Sequence, residues 1–307
     1  MSRGAANRSS PKARAKPGRS SRKARLAATQ QKARRTRTVA IGAVTLVVIA
    51  LAVMVTVALT RDAGPVRGTV SAGEAASLAQ HVPASVLDGV GAGQGVALPK
   101  ALPADTPPLE QGGKPEILYV GAEYCPYCAA QRWPLVVALS RFGSFEHLGA
   151  TESAAADVFP KTPTFTFHGA TYTSDVVAFT AVETHTNQPD PAGGYTALDT
   201  PTAAQVALLQ RYDQQPYTTK PGAIPFLMIG NSSISIGASY DPSVLQGLTR
   251  DQIARALSDP TSAVARAVDG SANALTAAIC TTTGGKPSSA CSDPVITTIS
   301  ATLPSTP

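Results

Sequence analysis

Apolar residues run longest without interruption from Val39 to Thr60, VAIGAVTLVVIALAVMVTVALT, 22 residues without a charge. Such a run predicts a single helix about 33 Å long, which matches the roughly 30 Å hydrocarbon core of a bilayer. A cleaved signal peptide is the alternative. It calls for a shorter apolar region and a small-x-small cleavage site, and neither is found here. The expectation is therefore one transmembrane helix over 38–60. Residues 61–113 follow, rich in Gly, Ala and Pro, with the runs GVGAGQG and LPADTPPLEQGG. They read as a spacer that lifts a domain off the membrane or lies against it, with short helices around Glu74–Gln80 and Ala84–Leu87.

After Lys114-Pro115 the pattern becomes that of a folded domain. Ile117-Leu118-Tyr119-Val120 is a short apolar run of the kind a buried strand shows. Beyond it comes AAQRWPLVVALSRF (Ala129–Phe142), whose apolar Leu135, Val136, Leu139 and Phe142 predict a helix, with a kink expected at Pro134. Strands are expected at Thr164–Phe167, Val176–Phe179, Ala223–Gly230 and Ile234–Ile236, the third opened by an X-Pro step. Helices are expected at Pro201–Tyr212, at Thr249–Leu257 with Thr249 as N-cap, and at Ser262–Ile279, broken at Asp269-Gly270. The domain is thus read as 114–260, followed by a C-terminal helix and tail over 261–307. No internal repeat is present.

Charge changes the picture of the first 60 residues. They hold 13 of the 26 Lys and Arg and none of the 20 Asp and Glu, so the rest of the chain is acidic. Residues 1–37 have no aromatic residue and too little apolar surface to offset ordering, which predicts a disordered basic tail. Beside an apolar span, such a tail is a topology signal rather than a nucleic-acid site. It predicts a cytoplasmic N-terminus, a single pass through the cell membrane and an extracytoplasmic C-terminal domain. The chain lacks the G-x-S-x-G and Walker patterns, and GVGAGQG does not fit G-x-G-x-x-G, so hydrolase and nucleotide-binding readings have no starting point. His81, His147, His168 and His185 are scattered without metal-ligand spacing. No cofactor is expected.

The chemistry-bearing motif is Cys125-Pro126-Tyr127-Cys128, placed where the Ile117–Val120 strand hands over to a helix. Unpaired N–H groups at a helix start stabilise negative charge, so Cys125 is the expected nucleophilic thiolate. Cys128, one turn on, is the expected resolving thiol. Tyr124, Tyr127 and Trp133 are candidates for an apolar rim or for ordinary packing, and Glu123 reads as a solvated loop carboxylate ahead of a proton-transfer group. Cys280 and Cys291 enclose a loop rich in Gly, Ser and Thr, and in an oxidising compartment they most simply form a structural disulfide. An electron relay from that pair to Cys125 and Cys128, or one zinc held by all four cysteines, also fits the count.

The order of strand, CxxC at a helix start, Ile224-Pro225 before a hairpin and a closing helix resembles the thioredoxin superfamily. ILYVGAEYCPYC (117–128) is similar to the entry into that family's motif, and Pro-Tyr is the glutaredoxin dipeptide. The resemblance implies an α/β fold, a mixed central sheet flanked by helices, and a cis Pro225 beside the disulfide. Ile224, Pro225 and Tyr127 then become substrate-binding, because the backbone next to Pro225 is left free to pair with an extended substrate. The stretch from Ser71 to Cys291, and VGAEYCPYCAAQRW above all, also resembles the membrane-anchored actinobacterial family called domain of unknown function 929. Set against a minimal thioredoxin, about 55 residues separate the Thr164–Phe167 strand from Pro225, so a long insertion is expected over about 169–222. The expected function is a thiol–disulfide oxidoreductase acting on extracytoplasmic protein thiols and disulfides, with a redox partner. A non-catalytic envelope interaction module, and metal delivery by the CxxC, are the alternatives.

Overall fold

In the central strand pair the alternation of side chains sets two faces. A computed structural model describes residues 72–304; the basic tail and the expected span lie outside the described residues. Strand β3 (Lys114–Gly121) sends Ile117 and Tyr119 into one buried cluster and Leu118 and Val120 into another. Its neighbour β11 (Phe226–Ile229) does the same, with Leu227 and Ile229 on the first side and Phe226 and Met228 on the second. A sheet that is apolar on both faces must be covered on both.

The central sheet is mixed. Strand β8 (Ala178–Glu183) lies parallel to β3, and β11 lies antiparallel on its other side. Strand β12 (Ser233–Ile236) extends the sheet, and β1 (Lys100–Ala101) closes that edge, both antiparallel. Strand β2 (Glu110–Gln111) pairs with the start of β3. One face is covered by α1 (Ala72–Gln80), α3 (Pro126–Leu139) and α6 (Ala263–Thr282). The other carries Leu208, Leu209 and Tyr212 of α4 (Ala203–Tyr212). The protein is therefore a mixed α/β fold with helices flanking its sheet. Among the described residues no helix is long and apolar enough to cross a membrane.

Several expected boundaries move. The stretch read as a spacer belongs, from residue 72 on, to the same compact unit as the central sheet. Helices α1 and α2 (Ala84–Val90) place Ala75, Ala76, Ala79 and Leu87 in the main core, β1 joins the sheet, and Leu102 is fully buried. Its composition resembles a linker because small side chains do the burying. The Thr164–Phe167 strand appears as β6 (Pro163–Thr166), and it pairs with β5 (Gly149–Glu152), away from the central sheet. The strand parallel to β3 comes instead from inside the expected insertion, at β8. The further additions are β4 (Ser144–Glu146) with β7 (Thr171–Thr173), and β9 (His185–Pro189) with β10 (Tyr195–Ala197).

Helix α6 runs unbroken through Asp269-Gly270. Gly270 is a close-approach residue: a Cβ there would lie 2.5 Å from the Cα of Gly93. Gly93 has φ +70°, where a side chain is strained. Helix α5 (Arg250–Ala256) starts as expected at Thr249, whose side chain accepts from Gln252 N–H in a capping box. The chain closes through α7 (Ser288–Cys291) and α8 (Pro294–Ser300).

Candidate functional site

Parallel pairing of β3 with β8 ends at Gly121 and Glu183, and the chain leaves the sheet there. Residues 122–124 carry it to α3, for which Cys125 is the N-cap. Pro126 suits the first helical position, since its missing N–H is one the helix could not have used. The Cys125 Sγ accepts from the Cys128 backbone N–H at 3.4 Å, as a capping side chain does. Pro134 lies inside the same helix without ending it.

The two thiols are unbonded and unlike. The Cys125 thiol is held below its usual pKa, first by a hydrogen bond from the Cys128 side chain. Backbone N–H groups of Cys128 and Tyr127 and the positive charge of Arg132 act in the same direction, against desolvation. Cys128 is fully buried, and burial pushes its thiol well above the usual value, with the neighbouring Cys125 adding to the shift. The surroundings favour the anion at Cys125 and the protonated thiol at Cys128.

Ile224 and Pro225, a hundred residues away in sequence, arrive at this point on the approach to β11. Their peptide bond is cis, and the Ile224 carbonyl lies 3.7 Å from Cys125 Sγ. Pro225 is buried and Ile224 half-buried. Tyr127 stands 41% exposed beside the motif, edge-on to Phe159 at 5.9 Å. So Cys125, Cys128, Tyr127, Ile224 and Pro225 converge. Cys280 and Cys291 do not join them: they are bonded to each other, with Cα atoms 5.5 Å apart. That bond removes both sulfurs from a four-cysteine zinc site. Among the described residues no group of three or more His, Cys, Asp or Glu is placed to hold a metal.

Beneath the motif lies an ion pair that no local sequence pattern announces. Arg132 and Glu183 are both fully buried, and the guanidinium is bidentate on the carboxylate at 2.8 and 2.7 Å. Arg132 also donates to Ala122 O at 2.9 Å, which fixes the loop leading into Cys125. Desolvation is the largest single influence and works against the guanidinium charge, but Glu183, Tyr119 and Cys128 together outweigh it and hold the pKa well above the usual value. The available signal was Arg132 itself, a charge one turn after Cys128 in an otherwise apolar helix face. Its partner lies in a strand whose pairing with β3 the pattern did not disclose.

Tyr124 sits between the motif and the added strands. Its ring stacks on Tyr195 at 4.3 Å and 9°, and its carbonyl accepts from Ala154 N–H at 2.8 Å. Glu123 N–H donates to the His185 carbonyl at 2.9 Å, so β9 is also tied to the entry loop. Of the two readings for Trp133, packing holds: it is fully buried against Phe165 and donates to Pro163 O.

Residues 101–281 match the family described as Domain of unknown function (DUF929), a span that takes in the sheet, the CPYC motif, Pro225 and most of α6. No curated protein and no solved structure matches the chain.

Proposed function

The chain belongs to the family Domain of unknown function (DUF929), and we propose that this member is a thioredoxin-like thiol–disulfide oxidoreductase, anchored in the cell membrane and acting on extracytoplasmic proteins. The carrying observation is the asymmetry of the CPYC pair: Cys125 with a lowered pKa at a helix N-cap, Cys128 buried with a raised one. The topology supports the reading. A strand runs into a CxxC helix, crosses over to a parallel neighbour, and is followed by a cis-proline, an antiparallel hairpin and a closing helix.

In the proposed reaction the Cys125 thiolate attacks one sulfur of a substrate disulfide. The S–S bond breaks, a mixed disulfide forms, and the other substrate sulfur leaves as a thiolate. Cys128 then gives up its proton, which ends on the substrate thiolate already released, and attacks the Cys125 sulfur. The second substrate sulfur is released, and the enzyme is left with a Cys125–Cys128 disulfide. Two electrons pass to the substrate, and the reverse sequence oxidises it. Arg132 favours the anion at both cysteines and so assists whichever thiolate is forming. The backbone of Ile224 and the ring of Tyr127 are placed to hold an extended segment over the thiol.

The anchor and the exported position rest on the apolar run Val39–Thr60 and the basic residues before it. The Cys280–Cys291 disulfide suits an oxidising compartment. Full-length Cys128→Ser expressed in cells is expected to trap mixed disulfides, visible as reducible high-mass species, while Cys125→Ser traps few. If neither variant traps a partner, the oxidoreductase reading fails. Protease added to intact cells is expected to remove a C-terminal epitope and spare an N-terminal one; the opposite result overturns the topology.

A further inference from the structure

Beside the reactive thiol, on the far side of Tyr124, lies a cleft of about 270 Å³ between the loop after β5 and strand β9. Glu152, Ala154, Ala155, Asn187, Gln188 and Tyr195 form most of its wall. That volume falls below the roughly 300–1,000 Å³ of small-molecule sites and suits one long side chain better than a cofactor. Tyr195, in the wall, stacks on Tyr124, the residue before Cys125. The loop carrying Ala154 and Ala155 continues to Val158, 61% exposed, and to Phe159 against Tyr127. Cleft and thiol are therefore linked by the Tyr195–Tyr124 stack and by one loop, which puts the cleft within a few residues' reach of a chain held over Cys125.

The wall offers acceptors. Asn187 Nδ2 is engaged with Glu152 O at 2.9 Å, and Gln188 Nε2 with Asn187 Oδ1 at 2.7 Å. This orientation leaves the Gln188 side-chain oxygen and the Glu152 carboxylate as the polar groups on offer. Glu152 forms no salt bridge among the described residues. Arg250 feels its charge, but the guanidinium is held by Thr164 O and Thr151 O. Asp157 adds a second negative charge close to Tyr124, and the exposed Lys161 is the cation of this loop. Ala154, Ala155 and the Tyr195 ring supply an apolar wall for a methylene stem.

Building on the oxidoreductase reading, we infer that this cleft is a specificity subsite for an Arg or Lys side chain of the substrate polypeptide, next to the cysteine that reacts with Cys125. The stem lies along the alanines and the tyrosine, and the cationic head meets Glu152 and Gln188.

Fluorescent peptides with Ser in place of the reactive Cys, and with Arg, norleucine or Glu at the flanking positions, separate binding from chemistry. With the full chain in detergent micelles, fluorescence anisotropy is expected to give the Arg peptide a Kd about fivefold lower than the Glu peptide, a gap that narrows with salt. Glu152→Gln is expected to collapse the gap, and Ala155→Trp, which fills the cleft, to weaken the Arg peptide. Glu110→Gln, at the far end of β3, should leave the preference unchanged. Equal affinities for the three peptides, no binding of any of them, or a preference indifferent to Glu152→Gln and Ala155→Trp would each overturn the subsite. Turnover of the oxidised Cys peptides, measured alongside, tells the two readings apart. Preference without turnover removes the oxidoreductase and keeps the subsite; turnover without preference does the reverse.

Discussion

The two cysteine pairs occupy opposite poles of two helices that pack against each other. Cys125 stands at the N-cap of α3, where backbone N–H groups lack intrahelical partners and the helix dipole is positive. Cys280 stands in the last turn of α6, where the unpartnered groups are carbonyls and the dipole is negative. A thiolate is stabilised at the first pole and disfavoured at the second. The first pair is free, with unequal pKa values, and the second is closed as a disulfide. Residue type is the same in both places; hydrogen bonds and burial set the acidity of the first pair, and the nearness of Cys291 closes the second.

The hardest test of this contrast removes one sulfur at a time. Cys125→Ser is expected to lower disulfide reduction by the full chain about a thousandfold or more, because the nucleophile is gone. Removing Cys280 and Cys291 together should leave the rate within about twofold. An equal loss from both would revive an electron relay between the pairs.

The next effect concerns the charge pair under the first pole. Glu183→Gln leaves Arg132 buried without its counter-charge and is expected to cost about 3–5 kcal/mol in urea denaturation. Glu183 raises the Cys128 pKa, so the same variant should shift Cys128 titration downward. A cost below about 1 kcal/mol would mean that the pair is less isolated from solvent than its geometry indicates.

At the second pole, Cys280→Ala with Cys291→Ala opens a loop of sequence separation 11 and is expected to cost about 2–3 kcal/mol. Alkylation of Cys125 should keep its pH profile. A shifted profile would show that the two poles are coupled.

The smallest effect lies mid-helix in α6, away from either pole. Asp269 is buried, neither carboxylate oxygen has a hydrogen-bond partner, and desolvation pushes its pKa up to about 8. The folded state holds this proton more tightly than the unfolded chain does. The contribution to stability is therefore full below about pH 4 and is lost as pH rises through about 8. Asp269→Asn, which stays neutral, should gain on the native protein over that window. The net advantage at pH 8 is expected to be about 1–2 kcal/mol, since the amide is also buried without partners. Thermal melts from pH 4 to pH 8 check the sign; an advantage that shrinks with rising pH would contradict it.

Legibility followed the range of the interactions. The CPYC helix start, the Thr249 cap, the X-Pro entry to β11 and the local Cys280–Cys291 pairing depend on residues close in sequence, and the pattern carried them. The packing of 72–113 was hidden because Ala75, Ala79 and the glycines bury little surface each and resemble a linker. Asp269-Gly270 resembled a helix break because Gly93, its reason for being there, lies far away in sequence. Arg132–Glu183 and the Tyr124–Tyr195 stack were invisible for the same reason: each joins α3 or its entry loop to strands whose pairing no local pattern reports. The site's reactive atoms were legible, whereas the groups that tune them were not.

The central claim is that Cys125 and Cys128 differ in acidity, because Cys125 accepts hydrogen bonds at the helix N-cap while Cys128 is fully buried. The direct measurement is the iodoacetamide alkylation rate of each cysteine in the reduced CPYC pair, followed by mass spectrometry from pH 5 to pH 10 with the Cys280–Cys291 disulfide intact. The account predicts that Cys125 reacts with a midpoint well below the pKa of about 8.5 of an unperturbed thiol, while Cys128 stays protected through that range. If both cysteines titrate together at the free-thiol value, the asymmetry is absent and the proposed nucleophile loses its basis.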